Sequence, residues 1–299
     1  MNPLEIQSVG SLNQEGAIFM GASRSLKECK VGIFGVPYDG TTSFRPGTRF
    51  GPHAIREVSN CLETFCPQLN LDLESLNFAD LGSLDIPHGA PEPVIQLVKE
   101  TTKQLLSQGV KPLILGGEHS ITSGAVEATA ALQSDLVLIQ LDAHADLRNE
   151  WLGSRYNHAC SMRRCLEVLP SKKIFQLGIR SGTSEEFQEL KKSQTLIPHS
   201  HGQPAESLKK ALDPYLGRPI YISIDLDWFD PSVMPGTGTP EPGGYLWEDF
   251  ASVINVLKSH RLVAADVVEL APQLDPSCIS SVLAAKVTRS LLMLLASTR

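Results

Sequence analysis

Histidine and aspartate side chains follow three apolar segments of this 299-residue chain. A histidine comes two residues after LILGG, a D-x-H-x-D motif follows VLIQL, and a D-x-D motif follows YISI. Carboxylates are costly to bury unless they are paired or bind a cation. We therefore predict that these motifs bind metal ions through His119, Asp142, His144, Asp146, Asp225 and Asp227.

The spacing within the two aspartate motifs predicts that their side chains converge. Alternate residues of a strand point to the same side, which would align Asp142, His144 and Asp146, and likewise Asp225 with Asp227. Two divalent cations roughly 3.5–4 Å apart, sharing bridging carboxylates, would satisfy such a group. Each motif alone is also compatible with a polar surface strand or a turn, but both follow segments too apolar for the surface. Oxygen and imidazole ligands without a thiolate favour Mn²⁺, Fe²⁺ or Ni²⁺ over a structural zinc site.

The segments that carry these motifs belong to an alternation of apolar strands and helices. We predict strands at 30–37, 111–117, 135–146, 172–181, 219–230 and 260–272, and helices at 51–65, 93–109, 120–132 and 284–297. Continuously apolar strands separated by helices indicate a mostly parallel sheet covered on both faces, an α/β fold of three layers, α/β/α. Ligands bind such sheets at the carboxyl ends of the strands, where the polar motifs lie. Because the composition shows no break, residues 1–299 are expected to form a single domain.

The chain is weakly acidic, with a formal net charge of −7 and a pI near 5.6. The absence of a basic run argues against a nucleic-acid partner. The N-terminal segment has no basic stretch followed by an apolar one, and the longest apolar run, SLLMLLAS, is shorter than a membrane span. We therefore expect a cytoplasmic protein without a membrane partner. The six cysteines have no zinc-binding spacing and are expected to be free thiols.

Several motifs together resemble the ureohydrolase family of arginases and agmatinases. They are GGEHS at 116–120, LDAHADLR at 141–148, SIDLDWFDP at 223–231, PGTGTPEPGG at 235–244 and VVELAP at 267–272. The resemblance begins with GVPYDGTTSFRPGTRFGPHAIR at 35–56 and reaches the last helix, so it covers nearly the whole chain. It implies an arginase-like fold and a homo-oligomer, a trimer or a hexamer. We expect residues 1–29 to form an N-terminal extension packed on that domain.

The resemblance also assigns the ligands to two metal ions, with manganese favoured and nickel as the alternative. Two of the ligands, Asp142 and Asp225, would bridge the ions. One ion would also bind His119 and Asp146, and the other would also bind His144 and Asp227. Two cations at such a site supply a hydroxide at neutral pH by lowering the pKa of a shared water.

The resemblance implies that this hydroxide attacks the carbon of a guanidinium group, which releases urea and an amine. Asp146 would orient the hydroxide. His158, in RYNHAC, would carry a proton to the leaving amine, for which an imidazole with a pKa of about 6.5 is suited. Glu269, in VVELAP, would pair with the substrate guanidinium, and Asn157 would contact the substrate beside His158.

The loop at 149–165 bears on the substrate, because it lacks the polar pattern by which arginases hold the α-carboxylate and α-amine of arginine. It resembles the agmatinase form, with Asn157 where serine is common. The resemblance therefore favours agmatine, hydrolysed to putrescine and urea, a reaction of polyamine biosynthesis. Guanidinobutyrate, guanidinopropionate and guanidine are alternatives at the same site, and Arg155, Arg163 or Arg164 could meet the carboxylate of a guanidino acid. A catalytically silent metal-binding homologue is the non-enzymatic alternative.

Other polar residues are predicted to have supporting roles. Arg45, Gly47 and Arg49 lie in the loop after the first strand, which in the resembled family helps to form the wall of the active site. The histidines outside the family motifs are predicted to be surface or structural residues: His53, His88, His199, His201 and His260.

Overall fold

The computed structural model describes residues 12–13, 16–23, 25–197 and 203–297. His199 and His201, and residues 1–11 of the predicted N-terminal extension, lie outside the described residues. In the described part of that extension, Leu12–Asn13 pairs antiparallel with the strand Phe78–Leu84, and Phe19 is fully buried.

A nine-stranded sheet forms the centre of the described ranges. The strands are β1 (Leu12–Asn13), β2 (Val31–Gly35), β3 (Phe65–Cys66), β4 (Leu71–Asp72), β5 (Phe78–Leu84), β6 (Lys111–Leu115), β7 (Val137–Leu141), β8 (Ile174–Leu177), β9 (Leu196–Ile197), β10 (Pro219–Asp225) and β11 (Arg261–Val268). Their order in the sheet is β1-β5-β2-β6-β11-β10-β7-β8-β9, and β3 and β4 form a separate antiparallel ribbon. All neighbours in the sheet run parallel except β1 and β5.

Helices cover both faces of this sheet and complete three layers. They are α1 (Gly51–Ser59), α2 (Pro91–Ser107), α3 (Thr122–Leu132), α4 (Ser161–Val168), α5 (Ser184–Ser193), α6 (Pro204–Leu212), α7 (Trp247–Leu257) and α8 (Ile279–Ser297). Successive residues of β6 enter opposite cores, since Leu113 and Leu115 pack with α1, α6, α7 and α8, whereas Ile114 packs with α2 to α5. The predicted three-layer fold with a mostly parallel sheet is confirmed.

All six predicted strands end earlier than predicted, and for two of them this changes the reason why the ligands converge. β7 ends at Leu141, so the D-x-H-x-D motif lies in the following loop. Asp146 in that loop has a φ of 53°, a left-handed conformation that a strand does not contain. Asp225 is the last residue of β10, and Asp227 lies in the 3₁₀ turn Leu226–Trp228. Strand alternation is therefore the wrong explanation, because the turns after two strands bring these side chains together.

Other elements also differ from the prediction. The helix predicted at 51–65 ends at Ser59, and the last helix begins at Ile279. The sequence reading missed α4 to α7 and β5, whose sequence FADLGSL interrupts its apolar pattern with an aspartate and a glycine. The aspartate, Asp80, is fully buried because Arg56 of α1 pairs with it at 2.8 Å.

Helix α8 corrects the expectation that no segment reaches the length of a membrane span. Its 19 residues are long and apolar enough by length and composition alone. In the folded chain, however, 78% of its apolar window is buried inside the molecule. A core helix passes the same test of composition, so α8 is only weak evidence for a membrane span.

The turn after β6 depends on the close approach of two loops. The N–H of Glu118 donates to the carbonyl of Tyr38 at 2.8 Å, which joins this turn to the segment after β2. A Cβ on Gly117 would lie only 1.8 Å from the same carbonyl oxygen. The turn therefore needs a glycine directly before Glu118 and His119.

We predict that Gly117→Ala destabilises the metal-free protein by about 1–3 kcal/mol, because the backbone around Tyr38 must move to admit the methyl group. The midpoint of urea unfolding should fall. Gly182→Ala is the matched control, since a Cβ there would meet its nearest neighbour at 3.4 Å, an ordinary contact. Equal midpoints for the two variants would show that the contact with Tyr38 does not constrain this turn.

Candidate metal centre and active site

The predicted ligands lie at the carboxyl ends of neighbouring strands. His119 follows β6, the D-x-H-x-D motif follows β7, and Asp225 ends β10. β11, which lies between β6 and β10 in the sheet, is followed directly by Glu269. Because parallel strands present their carboxyl ends at one edge of the sheet, residues from four strands meet there.

Three aspartates surround the imidazole of His119. Its Nδ1 lies 3.0 Å from Asp142 Oδ2, 2.9 Å from Asp146 Oδ2 and 3.4 Å from Asp225 Oδ2, and all four side chains are at most 7% exposed. Nδ1 nevertheless has no hydrogen-bond partner among the described residues. A buried nitrogen that faces three carboxylates without a hydrogen bond to any of them requires an explanation, and a cation between them provides it.

His144 and Asp227 form a second group, which shares Asp142 with the first. His144 Nδ1 lies 2.8 Å from Asp227 Oδ2 and 3.7 Å from Asp142 Oδ1. The ligand atoms of this group lie within 4.8 Å of one another, as do those of His119, Asp142 and Asp225. The first group lacks the predicted ligand Asp146, and the second lacks Asp225, which was predicted to bridge the ions. Each oxygen of Asp142 faces one of the two groups.

The separations between ligand atoms fit divalent cations. Two ligands at right angles, each about 2.1 Å from an ion as in octahedral coordination, are about 3.0 Å apart. Nitrogen–oxygen distances of 2.8–3.0 Å occur in both groups. Imidazole and carboxylate donors without a thiolate suit Mn²⁺, Fe²⁺ and Ni²⁺. The residues present therefore fit a pair of divalent metal ions.

Burial and neighbouring charges shift the pKa values in this site. Burial and the charge of Asp227 hold the pKa of Asp225 well above its usual range, and burial with Asp142 raises the pKa of Asp146 to about 6. Burial acts to lower the pKa of His144, but Asp227 and Asp142 raise it to about 12. Without cations the site therefore holds protons that a metal ion would displace.

Metal binding is predicted to release protons and to strengthen as the pH rises. The pKa of His144 is about 12, so its imidazole is protonated at pH 7. It must lose a proton before Nδ1 can bind a cation. Calorimetric titration of Mn²⁺ into metal-free protein, in buffers of different ionisation enthalpy, should show release of about one proton or more per bound ion. Heats that do not depend on the buffer would contradict this prediction.

Residues that the sequence analysis did not single out hold His119 in place. Its Nε2 lies 2.9 Å from Ser223 Oγ, which donates to Asp266 Oδ1 at 2.6 Å. The hydroxyls of Tyr221 and Thr122 donate to Asp266 Oδ2 at 2.5 and 2.9 Å. Because the Ser223 proton goes to Asp266, Ser223 accepts from His119 Nε2–H, and Nδ1 keeps its lone pair for a metal.

We predict that Ser223→Ala weakens metal binding at the His119 group by about 10- to 100-fold, since the ring loses the bond that selects its tautomer. Competition with a chelator measures this affinity. Ser252→Ala in α7 is the control, because that hydroxyl donates to the carbonyl of Asp249. If both variants bind metal as tightly as the wild type, Ser223 has no part in orienting His119.

The predicted catalytic side chains lie beside the metal ligands. Glu269 is buried, and its Oε1 accepts from the His119 N–H at 2.7 Å and lies 3.9 Å from His158 Nδ1. His158 begins the 3₁₀ turn before α4, and its Nε2 lies 3.0 Å from Ser43 Oγ. Burial, followed by the nearby His144, lowers the pKa of His158 to about 4. His158 is therefore neutral at pH 7.

Asn157 has structural bonds at both ends of its side-chain amide. Its Nδ2 donates to the carbonyl of Thr41 at 3.2 Å, and its Oδ1 accepts from the N–H of Ala159 at 3.0 Å. These bonds shape the loop that carries His158. The contact of Asn157 with a substrate stays a prediction.

A cavity of about 280 Å³ opens over the centre, and Asp146 and His158 are among its lining residues. Arg148 and Trp151 also line this cavity, and the guanidinium carbon of Arg148 lies 3.8 Å from the centre of the indole ring. Arg148 Nε also lies 3.8 Å from a carboxylate oxygen of Glu186. The charge of this arginine is therefore already partly balanced inside the cavity.

The three arginines considered for a substrate carboxylate have other partners. Arg155 and Arg164 lie 2.8 and 3.1 Å from Glu167, and Arg163 lies 4.0 Å from Glu189. None of them is among the described residues that line the cavity. Their positions do not favour a guanidino acid.

Arg45 and Arg49 bind neighbouring loops. Arg45 donates to the carbonyls of Thr237 and Gly238 at 2.6 and 3.1 Å, and Arg49 pairs with Asp39. Through Arg45, the loop after β2 is tied to the Gly- and Pro-rich segment at 235–244. The two guanidinium groups thus support the walls of the site.

Comparisons with known proteins agree with this geometry. The profile of the Arginase family matches residues 29–294. An agmatinase of Bacillus subtilis (strain 168) is 37% identical over 280 residues, 93% of this chain and 96% of that protein. The N(1)-aminopropylagmatine ureohydrolase of Thermococcus kodakarensis is 37% identical over 254 residues, 83% of this chain and 86% of that protein. The crystal structure of the agmatine ureohydrolase of Thermoplasma volcanium matches with a TM-score of 0.81 and 34% identity, covering 90% of this chain and 91% of that one.

The paired histidine–aspartate groups at the carboxyl edge of this three-layer α/β/α fold could hold metal ions. Given the profile match over most of its length and these relatives, the chain belongs to the arginase family. It is an enzyme of this family. The family and fold that the sequence motifs predicted are both confirmed.

Proposed function

We propose that this enzyme hydrolyses agmatine to putrescine and urea at a pair of divalent cations, with manganese as the native metal. The observation that carries the proposal is the pair of ligand groups that share Asp142, with Glu269 and His158 beside them. The B. subtilis and T. volcanium relatives are an agmatinase and an agmatine ureohydrolase, and they align with this chain over nine-tenths of its length.

The cavity supports agmatine over substrates that carry a carboxylate. Agmatine has a guanidinium group at one end and an amine at the other. Among the described residues of the cavity wall the arginine is Arg148, which is stacked on Trp151 and lies near Glu186. An arginine with these partners does not need a substrate carboxylate. The loop at 149–165 also lacks the arginase pattern.

When bound, the two cations supply Lewis acidity that brings the pKa of a shared water towards neutrality. In this proposal Asp146 orients the attacking water. One of its oxygens, Oδ2, faces His119 Nδ1 at 2.9 Å, and the residue also lines the cavity. The other oxygen is left to accept a hydrogen bond from the water.

In this proposal Glu269 binds the guanidinium group. Its Oε1 is held by the N–H of His119, which leaves Oε2 free to pair with a planar cation. Burial, with the charge of Glu118, holds the pKa of Glu269 well above its usual range. A guanidinium beside this carboxylate favours the ionised form, so substrate binding and ionisation of Glu269 support each other.

In this proposal His158 moves the proton. It lines the cavity and is neutral at pH 7, since its pKa is about 4. A neutral imidazole can accept a proton from the attacking water and pass it to the leaving amine. The hydrogen bond between Nε2 and Ser43 keeps the ring in one orientation.

Manganese is proposed because imidazole and carboxylate ligands suit it, and nickel is the alternative for the same ligands. We also propose that the enzyme is a cytoplasmic homo-oligomer, a trimer or a hexamer. Residues 1–299 would form one domain on which the extension at 1–29 packs. The resemblance of the sequence to the family supports these proposals.

Urea release by purified enzyme tests the proposed reaction. Protein loaded with Mn²⁺ or with Ni²⁺ would be assayed on agmatine, arginine, guanidinobutyrate, guanidinopropionate and guanidine. We expect the highest kcat/KM for agmatine with Mn²⁺. A higher value for a guanidino acid or for guanidine would overturn the substrate while keeping the site, and no urea from any compound would favour a silent homologue.

We predict that His158→Asn lowers kcat by about 10²- to 10⁴-fold, because the proton loses its carrier. Both metal ions should remain bound, which elemental analysis can measure. His53→Asn is the control, since that side chain is 68% exposed beside Glu57. A His158→Asn enzyme with wild-type kcat would exclude the proton-transfer role.

A further inference from the structure

We propose that Glu118 is a positioning residue that holds the loop after β2 in the place from which this loop orients His158. The inference rests on the proposed function, because that function gives His158 its role in proton transfer. Glu118 precedes a predicted metal ligand but belongs to neither ligand group. Its side chain is fully buried, so its contacts require a reason.

The carboxylate of Glu118 makes most of its hydrogen bonds to one residue of another loop. Oε2 accepts from the N–H of Thr41 at 2.7 Å, and Oε1 accepts from the Thr41 hydroxyl at 2.5 Å. Oε1 also accepts from the hydroxyl of Ser120 at 2.6 Å. The two bonds to Thr41 thus attach the loop after β2 to the turn after β6.

Thr41 passes this constraint to the loop that carries His158. Because the hydroxyl proton of Thr41 goes to Glu118, the oxygen is free to accept, and it accepts from the N–H of His158 at 2.9 Å. The carbonyl of Thr41 accepts from the side chain of Asn157 at 3.2 Å. Two residues further along, Ser43 Oγ lies 3.0 Å from His158 Nε2. One short segment therefore contacts both the backbone and the ring of His158.

The N–H of His158 is a donor at the start of the 3₁₀ turn that leads into α4. Donors in the first turn of a helix have no partner within the helix and need one from elsewhere. Thr41 is that partner, and Glu118 sets the direction of the Thr41 hydroxyl. Removing the carboxylate leaves this hydroxyl free to rotate, and both the position of His158 and its bond to Ser43 become less defined.

The same arrangement predicts which kinetic constant changes. Neither Glu118 nor Thr41 is among the described residues that line the cavity, whereas His158 and Ser43 are. Loss of the Glu118 contacts should therefore act on the step that uses His158 and leave substrate binding nearly unchanged. Misplacement of a catalytic group by about 1 Å can cost about 100-fold in rate.

The test compares Glu118→Gln, Thr41→Val and the double variant. A glutamine cannot accept both Thr41 bonds, because one of its two terminal atoms is a donor. We expect each single variant to lower kcat by about 10- to 100-fold with KM little changed. The kcat of the double variant should be no lower than that of the less active single variant, since the two substitutions break the same chain of contacts. Thr41→Ser restores the hydroxyl and should recover most of the kcat that Thr41→Val loses.

Two measurements that need no substrate accompany the kinetics. Metal content should stay at two ions per chain in the variants. Hydrogen exchange of the peptide that contains His158 should be faster in both variants. In Thr41→Val the N–H of His158 loses its acceptor, and in Glu118→Gln that acceptor, the Thr41 hydroxyl, is no longer fixed in direction. Glu127→Gln is the matched control, since this half-exposed glutamate pairs with Lys99 at 2.7 Å and lies away from the site.

The possible outcomes separate this inference from the proposed function. If exchange is faster in the variants but the wild-type enzyme releases urea from no guanidino compound, the positioning of His158 is supported and the proposed function is refuted. Unchanged exchange and kcat in Glu118→Gln would overturn the inference. Loss of a metal ion with unchanged exchange would also overturn it, because Glu118 would then act on His119 instead.

Discussion

Negative charge at the carboxyl edge of the sheet is the constraint on which the rest of this structure depends. Asp142, Asp225 and Glu269 are each at most 4% exposed, and Asp146 and Asp227 lie beside them. Imidazoles alone cannot balance so many neighbouring carboxylates, and buried like charges are costly without a cation. Burial together with neighbouring carboxylates raises the pKa values of Asp146 and Asp225. A pair of divalent cations would relieve this crowding of negative charge.

The fold meets the constraint by ending its strands where the ligands begin. β6, β11, β10 and β7 are neighbours in the sheet, and the turns after them carry the functional side chains. Two of these residues, Asp146 and Glu269, have positive φ angles of 53° and 67°. Such conformations cost about 1–3 kcal/mol in residues other than glycine and persist where surrounding contacts impose them. Here the conformation turns a carboxylate towards the centre.

The segment at 116–120 supports several parts of the site at once. The ring of His119 faces the aspartates, its N–H holds Glu269, and the preceding Glu118 binds the loop that contacts His158. This is possible because Gly117 lets the turn lie against Tyr38. The metal centre, the carboxylate for the guanidinium group and the proton carrier therefore depend on one short turn.

The sequence predicted that these histidines and aspartates meet at one edge of the sheet, because their types and spacing are unusual at the ends of apolar strands. Strand alternation is the wrong reason for the convergence of Asp142 and Asp146, since β7 ends at Leu141, before both residues. The sequence reading also missed the partners of His119. Ser223 and Asp266 lie opposite each other in β10 and β11, a relation set by the register of two strands far apart in the chain. β5 was missed because Asp80 interrupts its apolar pattern, and its partner Arg56 is on a distant helix.

The account depends most directly on the claim that two cations share the aspartates of this site. Electron paramagnetic resonance of the enzyme titrated with Mn²⁺ tests that claim. Ions roughly 3.5–4 Å apart, as in known two-metal sites, should give the multiline spectrum of a magnetically coupled pair once two ions are bound per chain. A spectrum of isolated Mn²⁺ at saturation, or saturation at one ion per chain, would contradict the account.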